Sequence, residues 1–360
     1  MVIKTENFQK YSRLILVPYD KASRLRSHIY LDFKNKKAII TGNEMNCAFT
    51  FDHDDSEMDS FYVSIPEFLA LCNAYESLTI TKHFNSKKEL VFNLSYGDEV
   101  FEISTFTEEE PDISANDIND PDTVSLSLNN QDIVRIKNAI NFMGQKEEDF
   151  LTGLKISSHI YSADGSRLYE ANMSFQTENS YSIDKELSQV ITSIPDDKLT
   201  LSVTPSGNVV VKGNNIYCVS SLMKDLALKE DFDDPDFIKR YDHDSFIIVS
   251  KSGLLQILDF FAPFVNNDKN ERLILNVEDN KLAIQAKGVN IGTRYLDILD
   301  SNLTEIIAND IWVSRNMVYD SVTIIEDENI CIQMGDSDAS AYNVSGENNK
   351  DVHVTNVLLV

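Results

Sequence analysis

No window of this 360-residue sequence stays apolar for the length a membrane span needs. Its start, Met1-Val2-Ile3-Lys4-Thr5-Glu6, lacks a basic segment followed by a long apolar one, so a secretory signal is not expected. Cysteine is scarce. Cys47, Cys72, Cys218 and Cys331 lie far apart in apolar contexts, with neither zinc spacing nor a disulfide framework. Buried thiols in a reducing cytoplasm are therefore expected. The six histidines (His28, His53, His83, His159, His243, His353) are scattered and form no ligand-like pairing. There is no Gly-rich phosphate loop, GxSxG elbow or HExxH, so no common enzyme motif is present, and no catalytic residue or cofactor is assigned. Cations are few as well: 32 Lys and Arg stand against 58 Asp and Glu, a net charge of −26. A protein that grips nucleic acid by neutralising phosphates needs a basic face. Either nucleic acid is not a partner, or the few cations are concentrated where it passes.

What is present supports a folded, multidomain chain. Hydrophobic residues make up 42% and aromatics 9%, ample for packed cores. The length exceeds what a single core supports, so two or three domains are expected. Six helix-like segments recur at about sixty-residue intervals. They begin near Thr5, Ser64, Leu128, Ile183, Val249 and Val313. Most open on an N-capping Ser, Asn or Asp, and Pro66 sits in the first turn of the second, where its missing N–H costs nothing. Each keeps apolar residues three and four apart. Short β-type runs with turn signals follow, among them His28–Phe33, Ala38–Thr41, Leu78–Lys82, Leu90–Leu94, Val100–Thr105, Leu199–Val203, Val209–Val211, Ile216–Ser220, Leu273–Val277 and Leu282–Ala286.

Six units of one grammar read most economically as three domains of two units each. Two polar stretches fit as joints: Thr107 to Asp122, acidic with two prolines, and Lys224 to Asp244, containing Pro235. The acidic sets Asp231, Asp233, Asp234, Asp236 and Asp52, Asp54, Asp55 read as solvated linker or, alternatively, as a cation site. Neither has EF-hand spacing.

The organising stretch is Ser162-Ala163-Asp164-Gly165-Ser166-Arg167-Leu168, between apolar strands at Leu154–Tyr161 and Tyr169–Phe175. Asp-Gly favours a tight turn, because such turns need positive φ angles. Locally this is a hairpin. Taken with the helix at Leu128–Asn141, Leu151-Thr152-Gly153, Thr41-Gly42-Asn43-Glu44, Ser64-Ile65-Pro66-Glu67-Phe68 and Pro235-Asp236-Phe237, the stretch resembles corresponding places in the bacterial-type DNA polymerase III sliding clamp (beta subunit) family. The order and spacing of these motifs over the full length carry the resemblance. It implies an α+β fold of three consecutive clamp domains, at 1–121, 122–243 and 244–360. Each would pack two helices on antiparallel sheets, and two chains would close a ring as a head-to-tail dimer.

The resemblance further implies a DNA polymerase processivity factor in the cytoplasm, encircling duplex DNA without sequence readout. It would tether polymerase and clamp loader through short linear peptides. By matching position the peptide groove comprises Leu151, Ala163, Gly165, Ser166, Arg167, Leu168, Pro235, Lys239, Arg240, Met317, Val354, Val357, Leu358, Leu359 and Val360. Independently, the apolar ending Val357-Leu358-Leu359-Val360 reads as an edge strand tucked into the last domain or as a patch that anchors peptides. DNA-facing candidates are Lys10, Arg13, Lys21, Arg24, Arg26, Arg135, Lys137, Gln145, Lys146, Lys185, Lys251 and Arg315. Phe101, Phe264 and Val265 are candidates for the dimer contact or for simple core burial.

The chain also departs from the family. The family's Met-Pro-Met-Arg-Leu-like ending is replaced by Asn356-Val357-Leu358-Leu359-Val360. Ser166 stands where a His is common, and Met317 where a Tyr is. These departures point to a diverged member, with a phage origin left open. A non-enzymatic acidic structural or adaptor protein of a virus is the second reading. A carboxylate-dependent metal enzyme using Asp231, Asp233 and Asp234 is the third.

Overall fold

The structure is a computed structural model. It describes residues 1–54, 58–84, 90–114, 118–144, 153–164, 166–223, 245–265, 272–286, 292–303, 311–334, 341–348 and 351–357. The described α-helices are α1 (Glu6–Lys10), α2 (Ser12–Leu16), α3 (Ile65–Ala74), α4 (Asn130–Ile140), α5 (Lys185–Ser193), α6 (Lys251–Phe261) and α7 (Arg315–Ile324). All six expected helical places are occupied, but the first holds two short helices. Tyr11 leaves helical geometry at φ −96°, ψ 12° and is fully buried, its ring 4.9 Å from that of Phe49. Core packing outweighs helix continuity there. The capping readings hold where side chains close the first turn. Asp184 accepts the Leu187 N–H at 2.6 Å, Ser250 the Gly253 N–H at 3.3 Å, and Ser314 the Met317 N–H at 3.5 Å. No described helix is long and apolar enough to cross a membrane.

Strands dominate, and the chain divides into two compact units. The first joins Met1–Lys137 to Ile183–Met223; the second joins Asn138–Ser182 to Lys224–Val360. Residues 122–243, read from sequence as one domain, thus contribute to both units.

In the first unit, a small sheet pairs Val2–Lys4, Ser77–Phe84, Leu90–Tyr96 and Glu99–Phe101. A larger antiparallel sheet runs, in spatial order, Val124–Asn129, Lys198–Val203, Asn208–Lys212, Ile216–Ser221, Met45–Thr50, Lys37–Thr41, His28–Asp32, Phe61–Ser64 and Thr105–Phe106. Its middle seam pairs Ile216–Ser221 with Met45–Thr50, strands far apart in sequence. Phe8, Phe49, Phe51 and Phe68 fill the space between this sheet and the helices, with Phe8 ring centroids 4.9–5.5 Å from the other three. The Gly42 position of the Thr41-Gly42 turn has a steric basis: a Cβ there would lie 2.7 Å from Glu186 Oε1.

In the second unit, one sheet runs Gly153–Ile156, His159–Ala163, Arg167–Asn172, Val352–Val357, Ala341–Gly346, Asn329–Met334 and Phe246–Ser250. It continues through Arg294–Ser301, Lys281–Ala286, Arg272–Glu278 and Ile311–Ser314. The expected strand Leu154–Tyr161 is two strands, broken at Ser157–Ser158. Both Ser157 N and its Oγ donate to the His159 carbonyl, and Ser158 Oγ donates to the Thr177 carbonyl, a local alternative to the ladder. The expected hairpin is present, with Ala163 opposite Leu168. The edge-strand reading concerned Val357 to Val360, of which Leu358, Leu359 and Val360 lie outside the described residues. Val352–Val357 is an interior strand, bonded to Arg167–Asn172 on one side and Ala341–Gly346 on the other.

Candidate functional site

The Asp164–Arg167 turn is built by one carboxylate. Asp164 Oδ1 accepts the Ser166 and Arg167 N–H groups at 3.0 and 2.8 Å. Its Oδ2 accepts from Arg167 Nε at 2.9 Å and Nη2 at 2.7 Å. The fork of the guanidinium is thereby fixed, which leaves Nη1 to reach Asp320 on α7 at 2.7 Å. Nη2 also contacts the Asn141 carbonyl at 3.4 Å, and the guanidinium lies 4.8 Å from the Phe142 ring centroid. Arg167 therefore ties the turn to α7 and to the end of α4, with a side chain only 14% exposed.

Across the adjoining strands Arg167 stands opposite Asn356, and Asn356 opposite Tyr342. Cross-strand neighbours share a face. Burial pushes the Tyr342 hydroxyl above its usual pKa, and the nearby Arg167 charge opposes that rise. Ser321 Oγ, also on α7, donates to the Met317 carbonyl at 2.7 Å and lies 3.2 Å from Asn356 Oδ1. The turn, the C-terminal strand and α7 thus form one bonded assembly.

Of the proposed groove residues, Ala163, Ser166, Arg167 and Leu168 belong to the hairpin, Val354 to the C-terminal strand paired with it and Met317 to α7. Ala163, Leu168 and Val354 are buried, at 9%, 8% and 0% exposure. Met317 is half-buried on α7. Leu151, Gly165, Pro235, Lys239, Arg240, Leu358, Leu359 and Val360 lie outside the described residues, and of Val357 only the backbone is described. The sequence reading missed Asp320, Ser321, Asn356 and Phe142, which hold the assembly together. None carries a local signal, because each acts through a partner distant in sequence.

The helix cations do not form one set. Arg13, Lys21, Arg24 and Lys137 are exposed. Arg24 pairs with Glu108 at 2.9 Å and lies over the Phe106 ring at 3.9 Å, its side chain still 62% exposed. Arg135, by contrast, is buried at 6% and is not a surface charge. Arg26 is tied to the Pro18 carbonyl, Asn43, Asp20 and Glu186. Lys10 bonds Asp196 at 3.3 Å. Desolvation alone would depress the Lys10 ammonium, but the bond to Asp196 and the nearby Tyr11 outweigh it, so its pKa is raised. Lys185 is half-buried, and Gln145 and Lys146 lie outside the described residues.

Lys251 and Arg315 have reciprocal structural roles. Each occupies the first position of its helix and reaches the C-terminal end of the other. Lys251 Nζ donates to the Thr323 carbonyl at 3.3 Å and to that of Ile325. Arg315 Nε donates to the Leu258 carbonyl at 3.0 Å, and Nη2 meets Asp259 at 3.2 Å. Cations at helix C-termini stabilise the unsatisfied carbonyls there.

The dimer candidates also separate. Val265 is 6% exposed and belongs to the core of the second unit, whereas Phe264 is 43% exposed. Near Phe101, Tyr96 and Val100 are exposed at 48% and 61%; on Arg294–Ser301, Tyr295 and Leu299 are exposed at 53% and 55%. The acidic set at Asp231, Asp233 and Asp234 lies outside the described residues, as does Asp55. Asp54 caps the first strand, accepting the Val2 N–H at 2.7 Å. Among the described residues, no group of three His, Cys, Asp or Glu side chains could hold a metal ion.

No family model matches the sequence, and no curated protein matches it. Solved structures match along its whole length. A DNA polymerase sliding clamp from Pseudomonas aeruginosa gives a TM-score of 0.78 at 15% identity, over 100% of this chain and 99% of that one. A DNA polymerase III beta chain from Streptococcus pneumoniae gives 0.79 at 13%, with the same coverages. A DNA polymerase III beta subunit from Thermotoga maritima gives 0.77 at 15%, over 100% and 98%. From first strand to last, the chain thus has the fold of the DNA polymerase III beta subunit sliding clamps.

Proposed function

We propose that this chain is a DNA polymerase processivity factor, a diverged sliding clamp without enzymatic activity, acting in the cytoplasm. The observation that carries the reading is the match of the entire chain to clamp structures from three bacteria. In this reading the chain comprises three clamp domains, at 1–121, 122–243 and 244–360, and two chains close head to tail around duplex DNA. Topological retention needs no tight grip. Phosphate contacts screened over about 8 Å at physiological salt permit sliding, and the exposed cations Arg13, Lys21, Arg24 and Lys137 supply them. That division of labour accommodates a net charge of −26.

The exposed apolar residues Tyr96 and Val100 beside Phe101, and Tyr295 and Leu299 with Phe264, supply the two unlike faces that a head-to-tail contact requires. Polymerase and loader peptides would dock where the Asp164–Arg167 turn, α7 and the C-terminal strand meet, with Leu358 to Val360 completing the apolar surface.

The test is direct. Light scattering should give about twice the chain mass of 40.8 kDa, and electron micrographs should show rings with a duplex-sized hole. Deleting Leu358 to Val360 should abolish polymerase stimulation and leave the ring intact. A monomeric, non-annular particle would overturn the proposal.

A further inference from the structure

Cys47 and Cys218 lie 171 positions apart in the sequence and directly opposite one another in the middle seam of the first unit's large sheet. The register defines the type of pair. Thr50 N–H donates to the Asn215 carbonyl at 3.1 Å, and these two residues continue the ladder in which Phe49 faces Ile216. Bonded and unbonded pairs alternate along an antiparallel ladder. Counting from Thr50 and Asn215, the pair Cys47 and Cys218 is unbonded. At such positions the Cα atoms approach to about 4.5 Å and the side chains lie closest. Disulfides span Cα separations of about 4.4–6.8 Å.

As cross-strand partners the two side chains share a face of the sheet, and Cys218 adds to the rise that burial gives the Cys47 pKa. Both are buried, at 1% and 0% exposure, and share their face with Met45 and Phe49 on one strand and with Ile216 and Ser220 on the other. Neither of the remaining cysteines repeats this arrangement. Cys72 sits on α3, and Cys331 lies in the second unit, opposite Ile248 and Ser345.

We propose that Cys47 and Cys218 are a disulfide-forming pair, converted by a small-molecule disulfide oxidant into a cross-strand staple that locks this seam. One thiolate attacks the oxidant's S–S bond, forming a mixed disulfide and releasing one thiol. The second thiolate then displaces the other half. Two S–H bonds are lost and one S–S bond forms, while the oxidant is reduced to two thiols. Burial and the elevated pKa of Cys47 shield the pair in the closed sheet, so the reaction proceeds when the seam opens or before it closes. The staple closes a loop of about 170 residues, and long closed loops restrict the unfolded chain most. This inference is independent of the clamp reading.

The test refolds the full chain from urea in oxidised glutathione. Thiols are counted after denaturation, and bridged peptides are mapped by mass spectrometry under non-reducing conditions. The expected result is a fall from four thiols to two, one bridge joining the Cys47 and Cys218 peptides, and a raised urea midpoint that dithiothreitol reverses. Cys47→Ser and Cys218→Ser should each retain three thiols and show no such midpoint shift. Four remaining thiols in the refolded wild type, or a bridge through Cys72 or Cys331, would overturn the proposal.

Discussion

Replacing Arg167 with Ala should destabilise the second unit more than replacing Asp320, its partner on α7. The wild-type side chain makes three kinds of contact that Ala lacks. Its fork on Asp164 joins two side chains that are 14% and 17% exposed, so these charge-assisted bonds are worth about 1.5–3 kcal/mol. Asp320 is 49% exposed, so that pair is screened to about 0.2–1 kcal/mol. The contact with the Phe142 ring adds about 0.5–1 kcal/mol. Asp164 keeps two backbone donors after the change, which limits the penalty for leaving it unpaired. These contributions overlap, and a net loss of about 2–4 kcal/mol follows. In urea that shifts the midpoint down by roughly 1 M. D320A should cost under about 1 kcal/mol, and R167K should fall between the two because an ammonium cannot form the fork. In the double variant R167A/D320A, the Asp320 change should add almost nothing to R167A. Equal losses in D320A and R167A would refute the hub assignment, as would an R167A midpoint unchanged from wild type.

Other predictions follow from the same contacts. Lys251→Ala and Arg315→Ala should each lower stability by about 0.5–1.5 kcal/mol through the lost carboxy-terminal caps, measured by urea titration. On the clamp reading, Arg24→Glu or Lys137→Glu should shorten retention on circular duplex DNA without changing the stability measured in urea by more than about 0.5 kcal/mol. Burial raises the pKa of Glu186, against the pull of the Asn43 N–H and Arg26, and neighbouring Asp184 adds to the rise. A carboxylate whose folded pKa is raised binds its proton more tightly folded than unfolded, so its contribution to stability grows as pH falls. The wild type should therefore gain stability relative to Glu186→Gln between pH 7 and about 4.5, the upper side of the ordinary carboxylate range. Urea midpoints across that window that diverge the opposite way would remove this account.

Local chemistry made part of the fold legible. Asp164-Gly165 marked the hairpin because Asp-Gly favours tight turns, and Asp184, Ser250 and Ser314 marked helix starts because the first turn leaves N–H groups open. What stayed hidden depends on residues distant in sequence. Nothing near Val352–Val357 records that Arg167–Asn172 and Ala341–Gly346 flank it. Nothing near Cys47 announces Cys218. Tyr11 broke a good helical pattern because a pocket beside Phe49 accepts its ring, a fact of tertiary packing alone.

The cations show how far helix position can mislead. Basic residues on the helices of a ring would face its channel, which is what makes Lys251 and Arg315 DNA-facing candidates in the sequence. Both stand at the first residue of their helices, where the positive end of the helix dipole disfavours a cation. Each finds its counter-charge at the carbonyls of the opposite helix end, a solution available only because α6 and α7 pack together. A phosphate competing for either cation would have to uncap a helix. If the clamp reading holds, removing Lys251 or Arg315 therefore leaves the salt dependence of DNA contact almost unchanged and lowers the stability of the fold. Removing Arg24 or Lys137 does the reverse. A loss of DNA contact in a fully stable Arg315→Ala protein would show that the guanidinium abandons its cap to meet DNA, and the division of cations drawn here would then be wrong.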